Sequence, residues 1–134
     1  MIGILVVTHG NVARELVNAL KMIVGEQEKV QDLSIDWEVD VDVAKGHIGK
    51  AITQCGKKDV LILTDMFGGT PSNMSLSFHD EHQVEVVTGM NLPMLIKLAT
   101  LRDEKPLDEL ARFIKAYGQR NISVASELVS GKEK

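Results

Sequence analysis

The chain has 134 residues, of which 44% are hydrophobic and 25% charged, a normal size and composition for one globular domain with a single core. Its formal net charge is -4 and its lysines and arginines are scattered, so we expect no nucleic-acid partner. The sequence contains no apolar run of about 18 residues and no secretory signal at its start, so we expect a cytoplasmic protein.

The first half of the chain predicts two strands and two helices in alternation. Residues 2–7 form an apolar run that predicts a strand buried on both faces. Residues 11–24 and 41–54 have helical spacing, with Asp40 as the expected N-cap of the second helix, and residues 30–35 predict a strand between them. The predicted inward faces are Val12, Leu16, Ala19, Leu20 and Ile23 in the first helix and Val41, Ala44, Ile48 and Ile52 in the second.

The second half continues the alternation. Strands are predicted at residues 60–64 and 84–88, separated by a short helix that begins with Thr70 as N-cap and runs to about residue 78. Helices over residues 93–101 and 106–117 follow, and residues 122–128 predict a last strand. We assign residues 1–130 to a single domain and expect the polar tail 131–134 to be frayed.

This alternation predicts an α/β fold in which a doubly wound, mostly parallel sheet has helices on both faces. If the first strand is central in a flavodoxin-like order of 2-1-3-4, the chain reverses direction between the first and third strands. Such a reversal leaves a crevice at the carboxyl ends of the strands, and we expect the functional site there.

Two polar segments follow the strands that border this crevice. His9 comes directly after the first strand, and Asp65 opens a loop after the third. An imidazole with one unprotonated nitrogen can attack phosphorus while a carboxylate holds its other nitrogen, so we assign catalytic roles to both residues. Gly68 and Gly69 allow a tight turn with N–H groups near phosphate oxygens, and Thr70 caps a helix whose N-terminus favours an anion. These three residues form the predicted phosphate-binding loop.

We predict no chemical role for several other residues that could carry one. Arg14 lies one turn into the first helix and is expected on its solvated face. His79, Asp80 and His82 are grouped, but no further ligand is evident, so we predict neither a metal site nor a cofactor. The sole cysteine, Cys55, can form no internal disulfide and is expected to be a small packed side chain.

Three segments carry a family resemblance: Thr8-His9-Gly10, Thr64-Asp65-Met66-Phe67-Gly68-Gly69-Thr70-Pro71-Ser72-Asn73 and Val87-Thr88-Gly89-Met90-Asn91-Leu92-Pro93-Met94. In order and spacing they resemble the mannose-family enzyme IIA components of the bacterial phosphoenolpyruvate:sugar phosphotransferase system. The resemblance implies that His9 accepts phosphate from the phosphocarrier HPr and passes it to a IIB component, with Asp65 assisting. It also implies an indirect link to the membrane components IIC and IID.

The chain departs from the family pattern in its phosphate loop. Thr70 stands where the family often has serine, which retains the hydroxyl and adds a methyl group. Met66 and Phe67 stand where some members have Thr-Trp, and we interpret them as part of a rim that binds partner proteins. If Asp65 holds Nδ1 of His9, we expect the phosphoryl group to attach to Nε2.

Three other functions can be compared with the sequence, and only the third of them remains open. Histidine phosphatases also have a histidine after the first strand, but that segment resembles Arg-His-Gly in them. Here Thr8 occupies the position of the arginine. A phosphotransfer subunit serving dihydroxyacetone kinase shares the fold but not the loop after the third strand. A regulatory module would be phosphorylated and bind a target without feeding a transporter, a possibility we keep because no IIB domain follows in this sequence.

The C-terminal segment predicts how the protein assembles. An apolar strand left at the edge of a sheet invites association, and exchange between two copies under two-fold symmetry would close both edges. We therefore expect a homodimer in which residues 122–128 form an antiparallel edge strand on the partner subunit, as the family resemblance also implies.

Overall fold

The computed structural model describes residues 1–56, 58–80 and 83–131, and a four-stranded parallel sheet lies at its centre. The strands are β1 Gly3–His9, β2 Val30–Ile35, β3 Val60–Thr64 and β4 Val84–Thr88. They are arranged in the order β2-β1-β3-β4, with every neighbouring pair parallel. The predicted α/β class and the order 2-1-3-4 are therefore confirmed.

The register of the sheet places the end of β1 beyond the end of β3. Val7 pairs with Thr64, the last residue of β3, whereas β1 continues to His9, which pairs with Ile35 of β2. The first residue after β3 is Asp65, so its side chain lies beside the carboxyl end of β1. This offset brings together the polar residues that follow the two central strands.

Helices cover both faces of the sheet. They are α1 Val12–Val24, α2 Val41–Cys55, α3 Thr70–Leu76, α4 Leu92–Leu101, α5 Leu107–Arg120 and α6 Ala125–Ser130. One buried apolar cluster joins α1, α4 and α5 to one face of the sheet, and a second joins α2 and α3 to the other. Because β1 and β3 lie between two apolar layers, their central side chains are completely buried, which explains their continuous apolar sequence.

The inward face of α1 differs from the predicted one. Val12 and Ile23 are 47% and 56% exposed, whereas Ala13 and Val17 are buried with Leu20. The spacing of apolar residues allowed either stripe, and the small side chain of Ala13 lets the first turn of α1 approach the sheet closely. The buried face of α1 therefore begins one residue later than predicted, at Ala13 in place of Val12.

The predicted N-cap residue is correct for α2 and wrong for α3. Asp40 caps α2 as predicted, because its side chain accepts hydrogen bonds from the N–H groups of Asp42 and Val43. In α3, however, Gly69 occupies the N-cap and Thr70 is the first helical residue, so the predicted capping role of Thr70 was wrong. Val41, predicted to face inward, is 53% exposed at the start of α2.

The predicted last strand over residues 122–128 is absent from this structure of a single chain. Residues 125–130 form the helix α6, which closes with Gly131 in the left-handed region at a φ of 73°. A strand needs a neighbouring backbone for its hydrogen bonds, whereas a helical turn satisfies its own, here from Glu127 N–H to the Val124 carbonyl. Every residue of α6 is exposed. The tail beyond Gly131 lies outside the described residues.

The burial of Cys55 and the length of the helices can be compared with the predictions from the sequence. Cys55 is completely buried, and this burial raises the pKa of its thiol to about 11, which agrees with a packing role. Within the described ranges, no helix combines the length and apolar character needed to cross a bilayer.

Candidate active site

The backbone around His9 is fixed by its two neighbours. The hydroxyl of the buried Thr8 accepts a hydrogen bond of 2.6 Å from the N–H of Ala13, and donates one of 3.2 Å to the carbonyl of His9. Gly10 has a φ of 50° and donates its N–H to the carbonyl of Ile35 at 3.1 Å. The chain can thus leave the strand and enter α1 within two residues, which leaves the His9 side chain 15% exposed at the crevice.

Asp65 holds His9 through two hydrogen bonds. Its Oδ2 atom lies 2.7 Å from Nδ1 of the imidazole and accepts a second bond of 3.1 Å from the backbone N–H of His9. Its Oδ1 atom accepts from the N–H of Met66 at 3.1 Å. The structure thus brings together the two predicted catalytic residues, and both carboxylate oxygens have partners.

These contacts favour the ionised form of Asp65. Burial by itself raises the pKa of this carboxyl group, but the hydrogen bonds from the side chain and backbone of His9 more than offset it. The pKa therefore lies below its ordinary value of 3.8. A carboxylate that accepts from Nδ1–H selects the tautomer in which Nε2 carries the free lone pair. The ring nitrogen of His9 that is free to accept a bond is accordingly Nε2.

Gly69 lies against the edge of the imidazole that carries Nε2. A Cβ atom on Gly69 would be 2.6 Å from Cε1 and 3.1 Å from Nε2 of His9, so any side chain here would collide with the ring. The backbone of Gly69 is extended, at φ −83° and ψ 167°, a conformation that any residue adopts. Glycine is therefore needed at this position for close approach, not for conformational freedom.

Gly68 serves the turn itself. Its φ of 85° lies in the left-handed region, where a side chain is strained, and a Cβ there would meet nothing within 4 Å. This turn directs the chain into α3, which begins at Thr70. The three residues predicted to bind phosphate thus follow one another along the loop that borders Nε2, and Thr70 is exposed at its end.

Trp37 is a site residue that the sequence reasoning missed. It lies in the loop between β2 and α2, and its ring stacks on the His9 imidazole with centroids 4.7 Å apart and planes inclined by 24°. The indole is nevertheless 80% exposed. The signal available in the sequence was an isolated aromatic residue just after β2, whose carboxyl end lies at the same edge as that of β1.

Two exposed side chains extend the apolar surface beside this site. Met66 and Phe67 follow Asp65 in the loop and are 54% and 72% exposed. We call these two residues and Trp37 the apolar rim, because they lie in the two loops that border the imidazole. Exposed apolar side chains that lie close together are typical of a surface that binds other proteins.

The remaining candidates from the sequence are Arg14 and the polar group that follows α3. Arg14 is exposed on α1. Nε2 of His79 lies 3.6 Å from Oε2 of Glu85, near the opposite end of the sheet. His82 lies outside the described residues. Within the part of the chain that the structure describes, no three histidine, cysteine, aspartate or glutamate side chains are grouped as metal ligands would be.

The sequence is similar to a known protein family and to individual proteins. The sequence model of the EIIA-man family, described as "PTS system fructose IIA component", matches residues 3–115. The fructose-specific EIIA component of Bacillus subtilis is 30% identical over 129 residues, which cover 95% of this chain and 88% of that protein. The mannose-specific EIIAB component of Escherichia coli K12 is 36% identical over 127 residues, 90% of this chain but 38% of the longer relative.

Solved structures show the same similarity. An EIIA component from Streptococcus agalactiae superimposes with a TM-score of 0.84 at 26% identity, covering 94% of this chain and 98% of the other. A mannose/sorbose-specific IIA subunit from Enterococcus faecalis gives a TM-score of 0.83 at 28% identity, covering 92% and 93%.

Proposed function

The chain belongs to the EIIA-man family of phosphotransferase-system IIA components, and from this premise we propose that it carries a phosphoryl group on His9. It accepts the group from phosphorylated HPr and passes it to a IIB component, which serves sugar uptake and phosphorylation. The chain is thus a phosphotransferase that acts through a phosphohistidine intermediate. It works in the cytoplasm and is linked to the membrane components IIC and IID only through IIB.

The observation that carries this proposal is the 2.7 Å contact between Nδ1 of His9 and Oδ2 of Asp65. The lone pair on Nε2 of His9 forms a bond to phosphorus while the bond from phosphorus to the donor nitrogen breaks, and that electron pair returns to the donor. The proton on Nδ1 stays on the ring, which becomes an imidazolium. The Asp65 carboxylate stabilises this developing positive charge and keeps the ring oriented.

The loop after β3 supplies the other half of the site. Gly69 lies against the edge of the ring from which the new bond extends, so the phosphoryl oxygens reach the start of α3. The N–H groups there lack partners within the helix and attract an anion. Gly68, Gly69 and Thr70 bind the phosphoryl group in this proposal, with the Thr70 hydroxyl as an additional donor.

The apolar rim of Trp37, Met66 and Phe67 suits the docking of partner proteins. HPr and IIB must both reach the same Nε2 atom, so they bind in turn and use overlapping parts of this surface. An exposed methionine adapts to different partners because its side chain is flexible.

We further propose that the chain forms a homodimer. Ile122, Val124, Leu128 and Val129 are between 57% and 90% exposed in the single chain. Of these, Ile122 lines a cavity of about 440 Å³ that is bordered by β4 and α5. Burial of the exposed apolar segment against a second copy would remove this surface from water.

Sedimentation of the full chain and of a version that ends at Gln119 tests this assembly. We expect a dimer for the full chain and a monomer for the truncated one. A full-length chain that stays monomeric at tens of micromolar, where an obligate interface is filled, contradicts the dimer.

Reconstitution tests the phosphoryl-carrier function. The chain is incubated with phosphoenolpyruvate, enzyme I and HPr, and acid-labile phosphate is located by mass spectrometry. We expect one phosphoryl group on His9 in the wild type and none in His9→Ala. Label that persists on His9→Ala refutes the assignment. Subsequent transfer to IIB distinguishes the transport role from the regulatory module, which would retain the label.

A further inference from the structure

The position of Trp37 is defined although its side chain is largely exposed. The loop of residues 36–40 joins the buried Ile35 to α2, whose first turn is capped by Asp40. The N–H of Val39 donates to the carbonyl of Asp36 at 3.3 Å, which closes a turn around the tryptophan. A short loop anchored at both ends holds the indole over the imidazole.

We infer that Trp37 is a positioning residue that stabilises the phosphorylated, positively charged imidazole of His9 by stacking on its face. This inference rests on the proposed function and deepens it. The ring is held from three directions: Asp65 at Nδ1, Gly69 at the edge that carries Nε2, and Trp37 over one face.

The chemistry of the transfer gives the stacking its effect. The imidazole is neutral before it accepts the phosphoryl group and becomes an imidazolium when Nε2 forms its bond to phosphorus. The face of an indole carries negative potential and attracts a cation, and tryptophan does so best among the aromatic residues. At a centroid separation of 4.7 Å the two rings are within the range of this interaction. Trp37 therefore favours the phosphorylated state over the free one.

The exposure of Trp37 argues against a role in folding. With 80% of its surface open, the indole buries little area and contributes little to the core. Its ring contact among the described residues is with His9. The competing explanation is that Trp37 serves only to dock the phosphodonor, as Phe67 does on the same rim.

An equilibrium measurement separates these two explanations. A docking contact changes the rates of forward and reverse transfer together and leaves the equilibrium between free donor and free chain unchanged. Stabilisation of the phosphorylated ring shifts that equilibrium. Trp37→Leu, Trp37→Phe and the matched rim variant Phe67→Leu are each equilibrated with phosphorylated HPr, and the labelled fraction of each protein is measured.

We expect Trp37→Leu to lower the equilibrium constant by about two- to fivefold, the range of exposed cation–π contacts. Trp37→Phe should retain more than half of the wild-type value, since phenylalanine keeps an aromatic face. Phe67→Leu should raise the KM for HPr without moving the equilibrium. A Trp37→Leu constant equal to that of the wild type, whatever its KM, overturns the inference, and so does an equal loss in Phe67→Leu.

Fluorescence gives a second readout that needs no variant. Trp37 is the only tryptophan in the chain, so its emission reports directly on the stacked ring. After the donor proteins are removed, we expect the emission of the phosphorylated chain to differ from that of the free chain, and identical spectra contradict the stacking role. A wild-type chain that takes up no phosphate refutes the proposed function itself, whereas a labelled chain with unaffected Trp37 variants refutes only this inference.

Discussion

The Gly69→Ala substitution tests the geometry of the site most sharply, because it adds one methyl group at the edge of the imidazole. The new Cβ would lie 2.6 Å from Cε1 and 3.1 Å from Nε2 of His9, whereas carbon atoms in contact prefer a separation of about 3.5 to 4.0 Å. Relief of the clash therefore needs a displacement of about 1 Å. The backbone of Gly69 already has φ and ψ values that alanine adopts, so the imidazole is the group that must move.

The expected result is a selective loss of phosphoryl transfer. A displaced ring loses its alignment with Asp65, and a misplacement of about 1 Å costs about 100-fold in rate. The ring is a movable side chain at the edge of the crevice, so the free energy of unfolding should fall by less than about 2 kcal/mol. Single-turnover phosphorylation by saturating phosphorylated HPr measures the rate, and thermal unfolding measures the stability.

Gly46→Ala is the matched control. Gly46 lies within α2, and a Cβ there would meet nothing within 4 Å. Alanine in the middle of a helix is about 0.5 to 1 kcal/mol more favourable than glycine, so this variant should be slightly more stable and transfer phosphate at the wild-type rate. A Gly69→Ala chain that is phosphorylated as fast as Gly46→Ala would refute the close approach of Gly69 to His9.

Three further predictions concern charge and burial. Asp65→Asn should slow single-turnover transfer by about two to four orders of magnitude, since the amide cannot stabilise the imidazolium; an unchanged rate would make Asp65 purely structural. The pKa of Asp65 is lower in the folded protein than its ordinary value of 3.8, so the ionised carboxylate stabilises the folded state at pH values above 3.8. This contribution is lost as the pH falls through the lowered pKa. Acid denaturation should therefore show the wild type to be more stable than Asp65→Asn near neutral pH, with the difference vanishing in acid. Cys55, with a pKa raised to about 11, should react with thiol reagents at pH 8 only after unfolding; rapid labelling of the native protein would contradict its burial.

The sheet and the central pair of site residues were predictable from local patterns. Continuous apolar runs indicate strands covered on both faces, and β1 and β3 show them clearly. Once these strands are neighbours, the residues that follow them must meet at one edge, so their order alone predicts that His9 lies beside Asp65. The hydrogen bond between them confirms the predicted proximity.

The features that the sequence did not predict depend on contacts distant along the chain. Trp37 is 28 positions from His9 in sequence, and only the pairing of β2 with β1 brings its loop to the crevice. The tight fit of Gly69 against the imidazole likewise depends on a tertiary distance that no glycine pattern encodes. The segment 122–128 has an apolar content suited to a strand, but a strand also needs a neighbouring backbone, and the single chain forms α6 instead.

The most direct test of the phosphoryl-carrier function is phosphorus NMR of the chain after labelling by phosphoenolpyruvate, enzyme I and HPr. Because Nδ1 of His9 is held by Asp65 at 2.7 Å, the free nitrogen is Nε2. We predict a single phosphohistidine resonance with the chemical shift of the Nε2-linked isomer, absent from His9→Ala. A resonance of the Nδ1-linked isomer, or a phosphohistidine that remains in His9→Ala, would contradict the proposed mechanism.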